Sequence, residues 1–411
     1  MNESSPLANG PTVALPEVVC PTAGCLEDAF DAGPLVPFSD EVIDLLATVS
    51  AVLLKDPVSR QFPDVATFGF WCRRSSVRGM QQSHTPLGTR VGRGLVFHIA
   101  PGNVPVNFAY SLVAGMLAGN ANIVRLPSAS FRQVDMICAA FDGALASPEH
   151  ASLRDHVRLI RYGREDAATT RLLSARCDVR VVWGGDESIS EIRRSALPAR
   201  AFDVTFADRY SLCVIDADAY LEREDTSSVA EGFYNDTYLF DQNACTAPHL
   251  VVWLGGRDAV ERAKKRFWHA LHQVVERRYE LATVSAVDKR ASAYRFAALH
   301  EGCRIEPADD NLITRVSAAT LEPGIESWRS ACGYFTEFHA AQLADIVPVI
   351  TGRYQTLSYL GVDPDVLREL VVYHRMPGID RIVPVGRTLD FSLDWDGYDL
   401  VCSLSRVIAV T

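Results

Sequence analysis

Between Gly94 and Trp183, short apolar runs take turns with helical stretches, and this alternation limits the fold more than any other feature of the chain. GLVFHIAPGNVP, residues 94–105, reads as a strand ending in a proline-stiffened turn. Val106–Leu117 reads as a helix left through Ala118-Gly119-Asn120, residue types that tolerate a left-handed exit. ANIVRLPSAS supplies a second strand, Ile123–Leu126, broken at Pro127. A helix from Phe131 to about Leu145 follows, then strands at Val157–Arg161 and Val179–Trp183 with a helix at Ala167–Ser174 between them. Strands separated by helices predict parallel βαβ units and a doubly wound α/β sheet. The pattern restarts after Ala207 with SLCVIDADAY, a helical stretch at 227–235, a strand at Leu250–Leu254 and a helix from about Ala259 to Tyr279. Two α/β lobes are therefore expected.

Upstream, residues 1–37 are rich in Pro, Gly, Ala and Ser and read as a loosely structured arm. Ser39 is a candidate cap for an amphipathic helix in which Val42, Leu45, Leu46, Val49, Val52 and Leu53 share a face. A further helix is expected over Phe68–Met80. The domain boundaries expected are 38–206 for these helices and the first lobe, 207–385 for the second, and 386–411 for a C-terminal segment packing back on the fold.

Composition excludes several function classes. With 411 residues and 48% hydrophobic content the chain can bury a substantial core. A formal net charge of −11 and no basic stripe argue against binding nucleic acid through its phosphates. The first residues lack the basic and apolar regions of a secretory signal, and no apolar run reaches the roughly 18–20 residues of a membrane helix. Ten cysteines without a C-x-x-C or a zinc-finger spacing fit free thiols in a reducing cytoplasm.

Four stretches carry candidate chemistry. In His98-Ile-Ala-Pro-Gly-Asn-Val-Pro105, two prolines and Gly102 would fix Asn103 at the carboxyl end of a strand, where its amide can either donate to an oxyanion or cap the next helix. Gly184 and Gly185, in Val181-Val-Trp-Gly-Gly-Asp-Glu-Ser188, could bring backbone N–H groups to a phosphate, or form only a tight turn. In Arg125-Leu-Pro-Ser128 a cation and a hydroxyl at a strand end could hold a cofactor ribose or phosphate, or lie on the surface. DQNACTAPHLVVWLG sets Cys245 among small and polar residues just ahead of a strand, whereas Cys138 and Cys213 lie in apolar runs and read as core. A cysteine nucleophile reacts as its thiolate, which needs help from charge or dipole at neutral pH.

Taken together, HIAPGNVPVNFAYSLVAGMLAGNANIVRLPS, VVWGGDESI, DQNACTAPHLVVW and DRIVPVGRTLDFSLDWDGYDLVCSLSR resemble the LuxC-type acyl-CoA reductase family, a branch of the aldehyde dehydrogenase superfamily. The resemblance runs from about residue 90 to 406 with its motifs in family order. It implies an aldehyde dehydrogenase-like α/β fold of two doubly wound lobes, the first for cofactor and the second catalytic. It also implies Cys245 as nucleophile, Asn103 as oxyanion donor, and Arg125, Ser128, Gly184 and Gly185 as contacts of a nicotinamide cofactor, NADPH. Arg125 stands where the superfamily usually has Lys. The segment Thr205-Phe206-Ala207-Asp208-Arg209 matches the stretch whose Glu activates water in hydrolytic relatives, and here that Glu is missing. The resemblance further implies a long-chain acyl-CoA or acyl-carrier-protein substrate, an acyl-activating partner enzyme and a homo-oligomer. An acyl-phosphate reductase, an aldehyde-oxidising dehydrogenase and a catalytically silent acyl-transfer scaffold are the alternatives.

Overall fold

In a computed structural model, which describes residues 16–84, 87–102 and 104–410, the chain divides into two compact units. One runs up to Ala207 and takes in the chain from Tyr398 onward; the other is Asp208–Gly397.

The first unit is built on six strands: β1 (Glu17–Cys20), β2 (Leu95–Ile99), β3 (Ala121–Arg125), β4 (Val157–Arg161), β5 (Val179–Trp183) and β6 (Phe202–Phe206). They lie in the order β1-β4-β3-β2-β5-β6, all parallel except β1, which pairs antiparallel with β4. Helices cover the sheet, so β2 and β5 are buried along their whole length and are mostly apolar, with His98 and Arg180 as their polar members. Chain order reverses between β2 and β5, and such a switch point opens a crevice at the carboxyl ends of the strands. Helix Asn107–Leu117 returns the chain from β2 to β3 and is left through Gly119 at φ +88°, where any Cβ would meet the Leu35 carbonyl oxygen at 2.2 Å. Only glycine fits there.

Two expectations are corrected. The helix expected over Phe68–Met80 is two helices, Pro63–Trp71 and Arg74–Ser83, because Arg73 leaves the helical region at ψ 142° and caps the second. The arm expected through residue 37 is ordered from Glu17, where β1 joins the sheet edge; residues 1–15 lie outside the described residues. Its anchor is Arg158 on β4, fully buried, which donates to Cys25 O at 2.7 Å and pairs with Asp28 at 3.1 Å and Asp155 at 3.0 Å. At the other end of the chain, Ser405–Val407 pairs antiparallel with Arg90–Gly92, and Asn120 Nδ2 donates to Leu404 O at 2.9 Å.

The main sheet of the second unit has seven strands: β7 (Tyr210–Asp216), β8 (Pro248–Leu254), β9 (Arg304–Ile305), β10 (Thr314–Ser317), β11 (Tyr334–Ala340), β12 (Tyr354–Leu360) and β13 (Arg381–Pro384). Their order is β9-β10-β11-β8-β7-β12-β13, and only β9 runs antiparallel to its neighbour. Successive side chains feed two cores: Cys213, Ile215, Val251 and Trp253 on one face, Leu212, Val214, Leu250 and Val252 on the other. Helix Arg257–Arg278 lays Val260, Ala263, Phe267, Leu271 and Val274 against the first of these, at the three-to-four-residue spacing of one helix face.

Inside that core sits a carboxylate. Glu337 of β11 has no exposed surface; its Oε1 accepts from Trp253 Nε1 at 2.9 Å and Trp268 Nε1 at 2.7 Å, and Oε2 pairs with Arg315 at 3.4 Å and Lys264 at 3.6 Å. A buried charge is tolerated only with such partners. Glu337→Leu strands two indole N–H groups and two cations, and is expected to lower unfolding free energy by about 3 kcal/mol. Urea unfolding followed by tryptophan fluorescence measures this, and an unchanged midpoint would contradict it.

Candidate active site

In the first unit the carboxyl ends of β2, β3, β4 and β5 surround a cleft of about 530 Å³. Pro101 and Gly102 come from the end of β2, Arg125 and Ser128 from β3, Arg164 and Arg171 from beyond β4, and Gly184 and Gly185 from β5, with Arg194 further along the same wall. Arg125 stacks its guanidinium over the Tyr162 ring at 4.6 Å, and Arg164 Nη2 donates to Ser188 Oγ at 3.1 Å. Beneath lies a fixed floor: His98 is buried, with Nδ1 2.8 Å from Ser111 Oγ and Nε2 3.0 Å from Asn122 Oδ1, and Trp183 Nε1 donates to the same Ser111 hydroxyl at 3.0 Å. Burial pushes the His98 imidazole down to about 4, so it is neutral and structural.

Gly185 is the residue before helix Asp186–Arg193, at φ −69°, a conformation open to any residue. A Cβ there, or at Gly102, would meet nothing within 4 Å. The fold does not need glycine at these positions. What glycine provides is bare backbone facing the cleft, with the helix amides behind Gly185 and four arginines around the walls. Glu165 and Glu191 are the acids on that wall. These residues suit a phosphate-bearing ligand.

The candidate nucleophile lies in the second unit, at the amino edge of its sheet. After helix Thr226–Thr237 the chain turns through Asp241 at φ +51° and Gln242 at φ +60°, two left-handed residues that are not glycine. Each such residue costs on the order of 1 kcal/mol or more and persists only where its surroundings impose it. Gln242, 1% exposed, supplies the constraint: Oε1 accepts from Gly333 N and Tyr334 N, both at 3.0 Å, while Nε2 donates to Pro248 O at 3.0 Å and Tyr334 O at 2.9 Å. Asp241 is held as well, by Cys332 N at 2.9 Å from its carbonyl oxygen and Tyr279 OH at 2.5 Å from Oδ1. Beyond the turn, Ser211 Oγ of β7 donates to Cys245 O at 2.7 Å and itself accepts from Thr356 N of β12 at 3.2 Å.

Cys245 is thereby pinned, and the residue as a whole is half-buried. Its surroundings are dense enough that burial, and after it the Asp396 carboxylate, push the thiol up to about 11. Arg381 and a hydrogen bond from the Gln355 side chain oppose that rise. Arg381, mostly buried, is fixed by donation to Thr388 O at 3.0 Å and Asp390 O at 2.8 Å and lies over the Trp395 ring at 4.1 Å. The resting thiol is therefore protonated at neutral pH.

Of the residues singled out in the sequence, Arg125, Ser128, Gly184 and Gly185 meet in the first-unit cleft, and Cys245 stands at a pinned strand edge of the second unit. Asn103 lies outside the described residues; its neighbours Pro101 and Gly102 line the cleft. Sequence reasoning missed Arg164, Arg171 and Arg194, and also Gln242, Gln355, Arg381 and Asp396. Gln242, Arg381 and Asp396 had a signal, their places in the quoted DQNACTAPHLVVW and DRIVPVGRTLDFSLDWDGYDLVCSLSR.

The fold is aldehyde dehydrogenase-like. The structure resembles solved aldehyde dehydrogenases: an NAD-dependent benzaldehyde dehydrogenase from Corynebacterium glutamicum, at TM-score 0.61 and 11% identity over 93% of this chain and 88% of that one, and lactaldehyde dehydrogenase from Escherichia coli, at TM-score 0.61 and 12% identity over 94% and 91%. More narrowly, residues 72–408 match the family model for acyl-CoA reductase (LuxC), and the chain belongs to that family. Among its curated relatives, a long-chain acyl-protein thioester reductase of Photorhabdus laumondii is 25% identical over 165 residues, and long-chain acyl-protein thioester reductase 2 of Photobacterium leiognathi 26% identical over 164. Each match takes in 40% of this chain, and the chain spans about a third of those relatives' length, 33% and 32% respectively. Among the described residues no helix is long and apolar enough to cross a membrane.

Gln242→Leu removes four hydrogen bonds around the left-handed turn. It is expected to change the alkylation rate of Cys245 by iodoacetamide at least about tenfold, as the loop leaves its pinned geometry. Peptide mapping by mass spectrometry reads this at one residue, and an unaltered rate in folded protein would refute the clamp.

Proposed function

We propose that this chain reduces an acyl thioester, carried on CoA or on an acyl-carrier protein, to the aldehyde through an acyl-enzyme on Cys245. The observation that carries the reading is the pinned, half-buried Cys245 in a member of the acyl-CoA reductase family. The Cys245 sulfur attacks the thioester carbonyl carbon and the carrier thiol leaves. Asn103 and the Cys245 backbone N–H donate to the oxyanion, and one such donor is typically worth about 10²–10³ in rate. Exchanging one thioester for another is near thermoneutral, so stabilising that charge is the main task of this step.

A bound nicotinamide supplies the hydride that takes the acyl group to the aldehyde level. The cleft residues fit a dinucleotide: Gly184 and Gly185 would leave backbone room for its pyrophosphate, and Arg125 and Ser128 would hold its adenosine ribose. The end of β3 carries Arg125-Leu-Pro-Ser128 and no acid, whereas a site for NAD usually offers a carboxylate to the ribose hydroxyls. With Arg164 nearby, this favours the 2′-phosphate of NADPH. Thr205, in the segment that matches the water-activating stretch, lies on β6, and the Asp208 carboxylate beyond it is engaged by Arg329. The water-activating Glu of the hydrolytic relatives is missing from this segment, which supports reduction over aldehyde oxidation. An acyl-activating partner enzyme and a homo-oligomer belong to the same reading.

Two measurements test it. Cys245→Ala is expected to abolish protein labelling by a radiolabelled long-chain acyl-CoA, and full labelling of that variant would overturn the nucleophile. Gly185→Val is expected to leave stability within about 1 kcal/mol while weakening NADPH binding at least about tenfold by calorimetry. Undiminished binding would remove the first-unit cleft as the cofactor site.

A further inference from the structure

Helix Thr283–Leu299 carries Lys289 into the interior of the second unit, where it is 1% exposed. Among the described residues no carboxylate pairs with it, and its N–H donors go to three backbone carbonyls. Nζ donates to Asn311 O at 2.6 Å, Leu312 O at 3.2 Å and Cys332 O at 2.7 Å. Asp310, next to Asn311 in the chain, is engaged by His272 Nε2 at 2.6 Å and by Leu312 N at 2.8 Å. Burying an ammonium without an acid is costly, and methionine would fill a similar space without that cost. What the ammonium adds is the gathering of three carbonyls from two separate loops.

Those loops lie at the amino edge of the sheet, just ahead of β10 and β11. The corner at Cys332 and Gly333 is left-handed at both residues, φ +59° and +86°. A Cβ at Gly333 would meet Tyr238 OH at 2.2 Å and Leu312 O at 2.6 Å, so the corner is closely enclosed. It is joined directly to the left-handed turn at Asp241 and Gln242. Cys332 N donates to Asp241 O at 2.9 Å, and Gly333 N and Tyr334 N donate to Gln242 Oε1. Cys332 therefore gives its N–H to the turn and its carbonyl to the ammonium. Tyr238, at the end of the helix that leads into the turn, donates from its hydroxyl to Leu312 O at 3.1 Å. Strained residues of this kind persist only where their surroundings over-determine them.

We propose that Lys289 is a positioning residue for Cys245, a built-in cation that fixes the Cys332 corner and, through it, the Asp241-Gln242 turn. Gln242 clamps that turn, but the groups it binds are only as fixed as the corner that bears them. Without the ammonium, Asn311 O and Cys332 O lose the donor that holds them, while Leu312 O keeps the Tyr238 hydroxyl. The corner then moves, and the loop that carries Cys245 moves with it. A loosened loop lets a small reagent reach the thiol more often and presents the sulfur less often in the geometry of attack. The part of this inference that concerns acylation rests on the acyl-enzyme reading given above; the part that concerns the loop does not.

The test compares Lys289→Met, which fills the space without donating, with Lys289→Gln, which keeps two N–H donors. Two rates are read on folded protein, well below the melting temperature of each variant. One is alkylation of Cys245 by iodoacetamide; the other is acylation by a long-chain acyl-CoA over a range of concentrations. Lys289→Met is expected to speed alkylation at least about tenfold and to slow saturated acylation about 30-fold, with half-saturation unmoved within about threefold. Lys289→Gln is expected to fall between Met and wild type in both rates. A Met variant that melts lower yet shows both rates within about threefold of wild type would make Lys289 a stability residue only and overturn the inference. Equal effects of Met and Gln would overturn the role of N–H donation. If Lys289→Met does not fold, the Gln variant decides: rates shifted at least about threefold in these opposite directions support the inference, and wild-type rates overturn it. Wild-type protein that is alkylated at Cys245 but forms no acyl-enzyme would sink the acyl-enzyme reading and leave alkylation to judge Lys289.

Discussion

Four hydrogen bonds from one amide hold the second unit's chemistry in place. Gln242 is wholly satisfied by Gly333, Tyr334 and Pro248, and this offsets the strain of two consecutive left-handed residues. The turn ties the chain leaving helix Thr226–Thr237 to the start of β11 and delivers Cys245 to the amino edge of β8. Ser211 and Thr356 extend the same fixation to β7 and β12. A nucleophile on a free loop would sample many orientations. Here backbone entropy is lost on folding, before substrate arrives, which is the condition for a well-oriented attack.

The two units put the ends of their strands to different use. In the first, the crevice follows from topology, since the reversal of chain order between β2 and β5 leaves a gap at the carboxyl ends, and glycine keeps backbone bare there. In the second, Cys245, Gln355 and Arg381 all belong to the amino ends of parallel strands. The general rule for ligands in open α/β sheets points to the opposite edge, so it would not have found this cluster.

Much of the fold was legible in the sequence. Strands Val157–Arg161 and Val179–Trp183 were read at their observed limits because most of their residues are apolar, as expected of buried parallel strands, although each also carries arginine. β11 and β12 were not read, since Thr336, Glu337, Gln355, Thr356 and Ser358 interrupt their apolar character. Those polar groups are tolerated through partners distant in the chain, as when two indoles satisfy Glu337. β1 escaped for a similar reason: its anchor, Arg158, lies 133 residues beyond the carbonyl it binds. Cys245 could be singled out by its local setting and by family likeness. Gln355, Arg381 and Asp396 lie more than 100 residues away and only folding brings them to the thiol.

Chemically, the site pairs a thiol that is protonated at rest with a fixed cation, Arg381, and a carboxylate near neutrality. A protonated thiol is protected from adventitious oxidation, and in the proposed reaction it reacts when a substrate carbonyl is in place. The central claim is that Cys245 holds the acyl group on its way to the aldehyde. Intact-protein and peptide mass spectrometry after mixing with a long-chain acyl-CoA tests it most directly. The expected result is one acyl group on Cys245 that disappears on adding NADPH as free aldehyde is formed. An unmodified Cys245, or an adduct released as the free acid, would contradict it.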